Sequence, residues 1–199
     1  MKDKAFAEVI QSSLHTFTAQ SWKWDTFPQF GSIVCVPNGL MKIYAVVYQV
    51  NTGSMDPQRT PFTYQKTQEE LLAEQPQIFA FLKTVFSCLI LGYELKGKLY
   101  YTVSPEPPKI HAFIYPIETD ALKTFFHQET YLYTLFNSAQ QMCNLDELLL
   151  AIFKQHLDLN ILNKSKLHQL IEVYSLLTGS DYRRLKLFLQ RVQQITDIS

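Results

Sequence analysis

The chain changes character at residue 117, and this change limits the folds that it can adopt. All nine prolines and all but one of the glycines lie before that point. After it, apolar residues recur every three or four positions, which is typical of amphipathic helices. The sequence therefore predicts an α+β protein with a small strand-rich barrel or sandwich over residues 1–117 and an α-helical module over residues 118–199.

The strand signals are strongest on either side of Asn38-Gly39. The segments GSIVCVP (31–37) and LMKIYAVVYQV (40–50) are runs of strand formers, and an Asn-Gly pair between such runs is a strong hairpin signature. Residues 6–22 contain two shorter alternating stretches separated by a pair of serines, which predicts two short strands with a bend between them.

A long connection follows the hairpin, from residue 51 to residue 66. It is rich in residues that form turns, either through their own side-chain hydrogen bonds or through a fixed φ. Loops of this length are usually functional or disordered. We expect this one to be ordered, with Met55, Phe62 and Tyr64 as apolar anchors.

Within this connection, four polar residues form a candidate interaction loop: Thr52, Ser54, Asp56 and Arg59. An acid, a cation and two hydroxyls can bind a small anion or a partner's backbone. The competing interpretation is a self-capped loop, in which Asp56 accepts local N–H bonds and Arg59 pairs with a nearby carboxylate. We favour the second interpretation, but the loop remains the best candidate surface of the barrel.

Two helical segments are predicted inside the strand-rich part. Residues 67–70 (TQEE) form a capping box, which opens a short helix. Residues 74–86 place apolar side chains at helical spacing, with Pro76 in the first turn. We therefore expect a helical crossover inserted between strands.

Residues 92–99 read GYELKGKL, which differs by one residue from the phosphate-binding pattern G-x-x-x-x-G-K-[ST]. A phosphate loop must run into a helix, whereas the residues that follow Lys98 favour a strand. Leu99 also stands where the magnesium-binding hydroxyl should be. The segment therefore predicts a hairpin with Lys96-Gly97-Lys98 at its tip, and we expect no nucleotide, no other cofactor and no enzymatic activity.

Three helices of the second part have clear ends. Asn144 caps a helix over residues 144–157, Gly179 ends one over residues 164–179, and Ser180 caps one over residues 180–195. The last helix carries four cations, a candidate basic face: Arg183, Arg184, Lys186 and Arg191. Such a face can contact nucleic acid or an acidic partner. It can also be the solvated side of an amphipathic helix whose apolar side is Tyr182, Leu185, Leu189, Val192 and Thr196.

Composition excludes several classes of function. Eighteen basic and eighteen acidic residues cancel, so the chain has no long-range field for polyanions or anionic lipid. Cys35, Cys88 and Cys143 are widely spaced, as expected of reduced thiols, and the histidines show no metal-binding spacing. His111 lies in an apolar run and is expected to be a half-buried strand residue. With no apolar stretch long enough for a signal peptide or a membrane span, the protein is expected to be cytoplasmic.

Several phrases resemble one known family: FAEVIQSS, TFTAQSW, FGSIVCV, YQVNTGSMDPQRTP, TQEELLAEQPQIF, LGYEL and PPKIHAFIYP. Together they resemble the HAS barrel, a β-barrel found in HerA-type ATPases and rotary ATP synthase subunits, and most of all stand-alone cyanobacterial-type proteins in which helices follow this barrel. The resemblance covers residues 6–117 well and the helical part more loosely. In those ATPases the barrel helps to assemble subunits into rings, and a following domain carries the nucleotide chemistry; we expect no such domain here. The resemblance implies assembly or docking.

Three functions are therefore open. The first is a non-enzymatic assembly or adaptor module that binds a protein partner or a second copy of itself through the loop and a strand edge. An open barrel would have a physical reason to oligomerise, because free strand edges must be paired or covered. The second is a nucleic-acid-associated accessory factor linked to a HerA-type ATPase, and the third is an unrecognised enzyme with a site in the 51–66 loop.

Overall fold

The computed structural model describes residues 4–56, 58, 60–139, 144–161, 163–179 and 181–196. The strands are β1 (Ala7–Ser12), β2 (Thr16–Ser21), β3 (Ile33–Asn38), β4 (Met41–Ser54), β5 (Leu82–Leu95), β6 (Lys98–Tyr100) and β7 (Phe113–Pro116). The helices are α1 (Gln68–Glu74), α2 (Thr119–Phe125), α3 (Tyr131–Ala139), α4 (Leu145–Asp158), α5 (Lys164–Thr178) and α6 (Tyr182–Thr196), and a 3₁₀ helix covers Pro76–Phe81. The predicted α+β class is confirmed.

Six strands close into an antiparallel barrel in the order β1-β2-β5-β4-β3-β7. The closing contact joins β2 to β5, where Thr16 pairs with Leu89 and Gln20 with Val85. The short strand β6 pairs with the far end of β5 and lies outside the ring. Each of the six strands has a neighbour on both sides, so oligomerisation through a free edge of an open barrel does not apply to them.

Side chains of the barrel strands alternate between an interior cluster and an outer face. In β4, Ile43, Ala45 and Val47 point inward, whereas Tyr44 and Val46 belong to a second cluster on the outside. Because both faces of this stretch are covered, residues 43–47 form one continuous buried run. The same is true of residues 88–92 in β5, so the middle of these two strands is a fully buried layer between the interior and the helices.

The helices cover the outer face of β4 and β5. Helix α4 is central to this packing and has seven buried side chains along 14 residues. An aromatic group lies where helices and barrel meet: Phe125 of α2 has ring-centroid distances of 5.3 Å to Tyr44 and 5.2 Å to Tyr101. One hydrophobic cluster therefore includes side chains from both sides of residue 117, and the division into units 1–117 and 118–199 stays a prediction.

Most local predictions are confirmed. The hairpins at residues 38–41 and 95–98 form, as do the two short strands before residue 22. Thr67 and Glu70 form the reciprocal capping box at α1. Asn144 accepts from two backbone N–H groups at the start of α4. A helical insertion does separate β4 from β5.

Other predictions about these segments are wrong. The turn of the β3–β4 hairpin is Gly39-Leu40, with Asn38 still in β3, and a glycine in first position is typical of a type II′ turn. Residues 82–86 are strand, because pairing with β4 and β2 overrides their helical spacing. His111 is exposed at φ 64° in a turn before β7, where its Nδ1 lies 3.3 Å from Glu8 Oε2.

Ser180 and Cys143 lie outside the described residues, so the predictions for them are not tested. At the start of α6, Asp181 Oδ1 accepts a hydrogen bond from Arg184 N–H.

The junction between barrel and helices depends on a glycine at residue 31. Gly31 has φ +82°, and a Cβ built on it would lie 2.8 Å from Ala151 Cβ in α4 and 3.2 Å from the Ala151 carbonyl carbon. Its N–H also donates to Val47 O at 2.8 Å. The chain therefore approaches α4 at a distance that only glycine permits.

We expect Gly31→Ala to lower the free energy of unfolding by about 2 kcal/mol or more, because backbone strain and overpacking against α4 add. Gly97→Ala is the matched control, since Gly97 also has positive φ but has no atom near its Cβ position. That control should cost only about 1 kcal/mol of strain. Urea unfolding followed by circular dichroism measures both. Equal losses would show that the contact with α4 contributes nothing.

Candidate interaction surface on the β4–β5 arm

β4 and β5 continue as a two-stranded ribbon beyond the barrel. Their mutual pairing extends to Ser54 and Leu82. Pairing of β4 with β3 stops at Val46, however, and pairing of β5 with β2 starts only at Val85. We call residues 51–83 the arm: it comprises the end of this ribbon, the connection, α1 and the 3₁₀ helix.

None of the described residues of the arm is buried. This includes several large apolar side chains, among them Met55, Phe62, Leu72 and Phe81. Phe62 and Phe81 are 69% and 61% exposed. Phe79 is half-buried and stacks on Trp24 outside the arm. Exposed apolar residues scattered singly are normal, but several of them on one insertion, none of them buried, are typical of a surface that binds another molecule.

Hydrogen bonds and ring contacts within the arm give it a defined shape. Phe62 and Tyr64 pack ring against ring at 4.3 Å between centroids, and Met55 N–H donates to Phe81 O at 2.8 Å. At the base of the arm, Thr52 and Thr84 hydroxyls lie 2.7 Å apart. These contacts hold Met55, Phe62 and Phe81 to neighbouring residues of the arm while much of their apolar surface stays exposed.

The described residues of the predicted interaction loop, Thr52, Ser54 and Asp56, lie at the end of the ribbon. Thr52 and Ser54 belong to β4, whereas a loop was expected there. Ser54 Oγ accepts from Asp56 N–H at 3.1 Å, and Asp56 Oδ1 accepts from Gln58 N–H at 3.0 Å, so local capping by these side chains is confirmed. Arg59 lies outside the described residues. Binding of a small anion or of a partner's backbone by this loop stays a prediction.

Two of the three residues that we expect to anchor this loop, Met55 and Phe62, do not pack on a core, whereas Tyr64 is half-buried. Met55 and Phe62 are exposed, and their side chains belong to neither hydrophobic cluster of the structure. The acidic residues of α1 have local roles: Glu70 completes the capping box, and Glu74 pairs with Lys66. Glu69 has no ion pair within the described part of the chain.

The basic residues of α6 separate into two pairs. Arg184 Nη2 and Nε bind the carboxylate of Asp146 at 2.7 and 3.1 Å, and Arg191 Nη1 lies 2.7 Å from Glu147 Oε1. Both acids lie in the first turn of α4, so these two arginines attach α6 to α4. Arg183 and Lys186 are exposed and have no such partner within the described residues.

The apolar side of α6 is partly the predicted one, since Val192 is buried and Leu185 and Leu189 are half-buried. Two residues differ from the prediction: Phe188 is buried as well, whereas Tyr182 is 76% exposed. Phe188 stacks on Tyr174 of α5 at 4.3 Å between ring centroids. Because Tyr182 is in the first turn of the helix, it lies beyond the reach of the core and faces solvent.

Three titratable side chains inside the fold, Cys35, Cys88 and His156, are uncharged at neutral pH. Burial raises the pKa of the Cys35 thiol to about 11 and raises that of Cys88 still more clearly, which makes both thiols poor nucleophiles at neutral pH. Burial lowers the pKa of His156 to about 4, so this histidine is neutral against the ring of Phe126. The described residues contain no group of three histidine, cysteine or acidic side chains placed to hold a metal.

An apolar groove of about 460 Å³ lies between the barrel and the helices. Its walls include Phe27, Ile33, Ile117 and Leu122, and its one charged lining residue among those described is Lys4. Lys4 is already paired with Glu118 at 3.1 Å. Asp56 does not line this groove, which therefore does not join the predicted loop to other titratable groups.

Comparison of the chain with protein-family models and with curated proteins gives no match. The closed six-stranded antiparallel barrel is compatible with the small barrel that the sequence resembles. In the described part of the chain, no helix combines the length and the apolar character needed to cross a bilayer.

Proposed function

We propose that this protein is a non-enzymatic assembly module that docks onto a protein surface through its arm. One observation carries the proposal: none of the described residues of the arm is buried, although they include several large apolar side chains. Covering such side chains removes apolar surface from water, which contributes about 25 cal/mol per Å². A partner surface is the direct way to gain that free energy.

The resemblance to the HAS barrel supports the same proposal, because assembly is the role that this resemblance implies. The barrel closes on itself, so docking would use the arm and not a free barrel edge. The free thiols of Cys35 and Cys88 suit a reducing compartment, and we propose that the protein acts in the cytoplasm.

The alternative proposal, a nucleic-acid-associated accessory factor, has weaker support. It relied on four cations along α6, and two of them, Arg184 and Arg191, are paired with carboxylates of α4. The remaining pair, Arg183 and Lys186, would neutralise few phosphates. An unrecognised enzyme has no specific support from the arm's geometry.

Photo-crosslinking in the native cell tests the docking proposal. Phe62, Phe81 and Leu40 are replaced one at a time by p-benzoylphenylalanine. Leu40 is the matched control, because it is 84% exposed but lies in the β3–β4 turn, at the other end of β4. All three positions are exposed, so the substitution should leave the fold intact.

We expect irradiation to give discrete protein adducts from positions 62 and 81, with little from position 40. Mass spectrometry of the adducts then identifies what the arm contacts. Equal yields at all three positions, or no protein adduct at positions 62 and 81, would contradict the proposal.

A further inference from the structure

We infer that the surface bound by the arm is the exposed face of α6 in a second copy of this chain, so that copies associate head to tail. The inference rests on the proposed function, since it requires the arm to dock onto protein. It goes further by naming the occupant and the residues on both sides.

Helix α1 is the negatively charged part of the arm, whose described cations Lys66 and Lys83 bind Glu74 and the Met55 carbonyl. Helix α1 carries Glu69, Glu70 and Glu74 and no cation. Glu74 pairs with Lys66 just before the helix, whereas Glu69 has no ion pair in the described part of the chain. Glu69 and the exposed Leu72 are three residues apart and therefore share one face of α1.

The exposed face of α6 has the opposite charge and the same apolar character. Tyr182 and Lys186 are four residues apart, as are Arg183 and Leu187, so all four lie on adjacent strips of the helix. Leu187 is 53% exposed, and Tyr182 is more exposed still. No acidic residue occurs between residues 182 and 196, so the charge of this face is positive.

The α1 surface of the arm and the α6 face complement each other in charge, and neither complements itself. Two arms that met through α1 would bring the carboxylates of one α1 against those of the other, and two α6 faces would bring arginine and lysine together. Like charges across an interface are costly, whereas opposite charges fix partner and register. With equal numbers of acidic and basic residues, copies of the chain have no net repulsion at neutral pH.

A contact between two different surfaces of the same chain is heterologous. Each copy then binds one neighbour through its arm and another through its α6 face, so association continues to a closed ring or an open chain of copies. This geometry has a distinctive experimental consequence, because the two surfaces can be inactivated separately.

The test uses two double variants. Phe62→Ser/Phe81→Ser inactivates the arm, and Tyr182→Ser/Leu187→Ser inactivates the face of α6. All four side chains are exposed, so both variants should keep the wild-type circular dichroism spectrum and thermal midpoint. Mass is measured by size-exclusion chromatography with light scattering over a range of concentrations.

We expect the wild type to form oligomers and each variant alone to be monomeric. An equimolar mixture of the two variants should form a 1:1 heterodimer and nothing larger, because one intact arm meets one intact α6 face. Replacing both cations by Arg183→Glu/Lys186→Glu should also weaken wild-type association, by up to about fivefold for each exposed charge pair that is lost.

Several outcomes would overturn the inference. A monomeric wild type at all concentrations would do so, as would oligomers that survive in the α6 variant and indicate arm-to-arm contact. Loss of salt-dependent DNA binding in Arg183→Glu/Lys186→Glu, without any change in mass, would assign the α6 face to nucleic acid instead. If the wild type is monomeric but position 62 still crosslinks to another protein, the inference fails and the proposed docking function stands.

Discussion

Phe125→Ala is expected to lower the free energy of unfolding by about 3–5 kcal/mol, the range typical of a large aromatic side chain removed from a core. Phe125 is 1% exposed and is surrounded by other rings. It contacts Tyr44 of the barrel and both Phe126 and Tyr131 of the helical part. Its removal would leave a cavity at the junction, where two rigid layers limit collapse.

Urea unfolding followed by tryptophan fluorescence and circular dichroism measures the loss. Phe62→Ala is the matched control, because it removes the same atoms from an exposed site of the arm and should cost less than about 0.5 kcal/mol. If Phe125→Ala cost no more than this control, the helices would not depend on the aromatic contact for their attachment to the barrel. A transition at which the two probes no longer coincide would show that the helices separate before the barrel unfolds.

The sequence predicts those parts of the fold that depend on neighbours along the chain. The capping box at Thr67 and the cap at Asn144 need only residues within one helical turn, and the hairpin at Lys96-Gly97 needs only its own turn residues. Each of these predictions is confirmed. Caps and turn residues predict well whether a segment is a helix or a hairpin, because the hydrogen bonds that they make lie within a few residues along the chain.

Contacts between distant segments explain what the sequence did not predict. Residues 82–86 have helical spacing, yet pairing with β2 and β4 holds them in a strand. Barrel closure depends on that pairing, which joins residues more than 60 positions apart. The burial of α6 likewise depends on where α4 and α5 lie: Tyr182 has the spacing of the apolar side, but it is in the first turn, beyond the reach of the core.

The sequence predicts the position of the candidate surface but not its apolar character. Turn-forming residues predict the 51–66 connection as a candidate surface through its polar side chains, Thr52, Ser54, Asp56 and Arg59. The exposure of Phe62 and Phe81 follows from the length of the β4–β5 ribbon, which carries them beyond the reach of the barrel. The sequence of α1 does indicate that this helix packs on no core, because its apolar residues are too few to form a core-facing stripe.

Asp146 is the site of the second large effect, because one carboxylate holds three helices together. It accepts from Arg184 of α6 in a bidentate arrangement and from Tyr174 OH of α5 at 2.6 Å. The Asp146 and Arg184 side chains are only 22% and 32% exposed. Asp146→Ala leaves a largely covered guanidinium and a buried hydroxyl without their acceptor, and we expect it to cost about 3 kcal/mol.

The neighbouring acid provides the control. Glu147 also lies in the first turn of α4 and also pairs with an arginine of α6, Arg191, but both side chains are nearly half exposed. Glu147→Ala should therefore cost at most about 1 kcal/mol. Similar losses for the two alanine variants would show that burial of the Asp146 pair adds nothing to stability.

The contribution of Asp146 also has a defined pH dependence. Partial burial alone would raise the pKa of its carboxyl group, but the hydrogen bonds from Arg184 and Tyr174 outweigh burial and lower the pKa below its usual value. The unfolded chain then binds more protons than the native state in acid, so stability from this group is present above pH of about 4 and is lost as pH falls through the native pKa. We expect the free energy of unfolding to fall more steeply between pH 5 and pH 2 in the wild type than in Asp146→Asn, which cannot titrate. Parallel pH profiles would contradict the assignment, because an ion pair that stabilises the fold must weaken when its carboxylate is protonated.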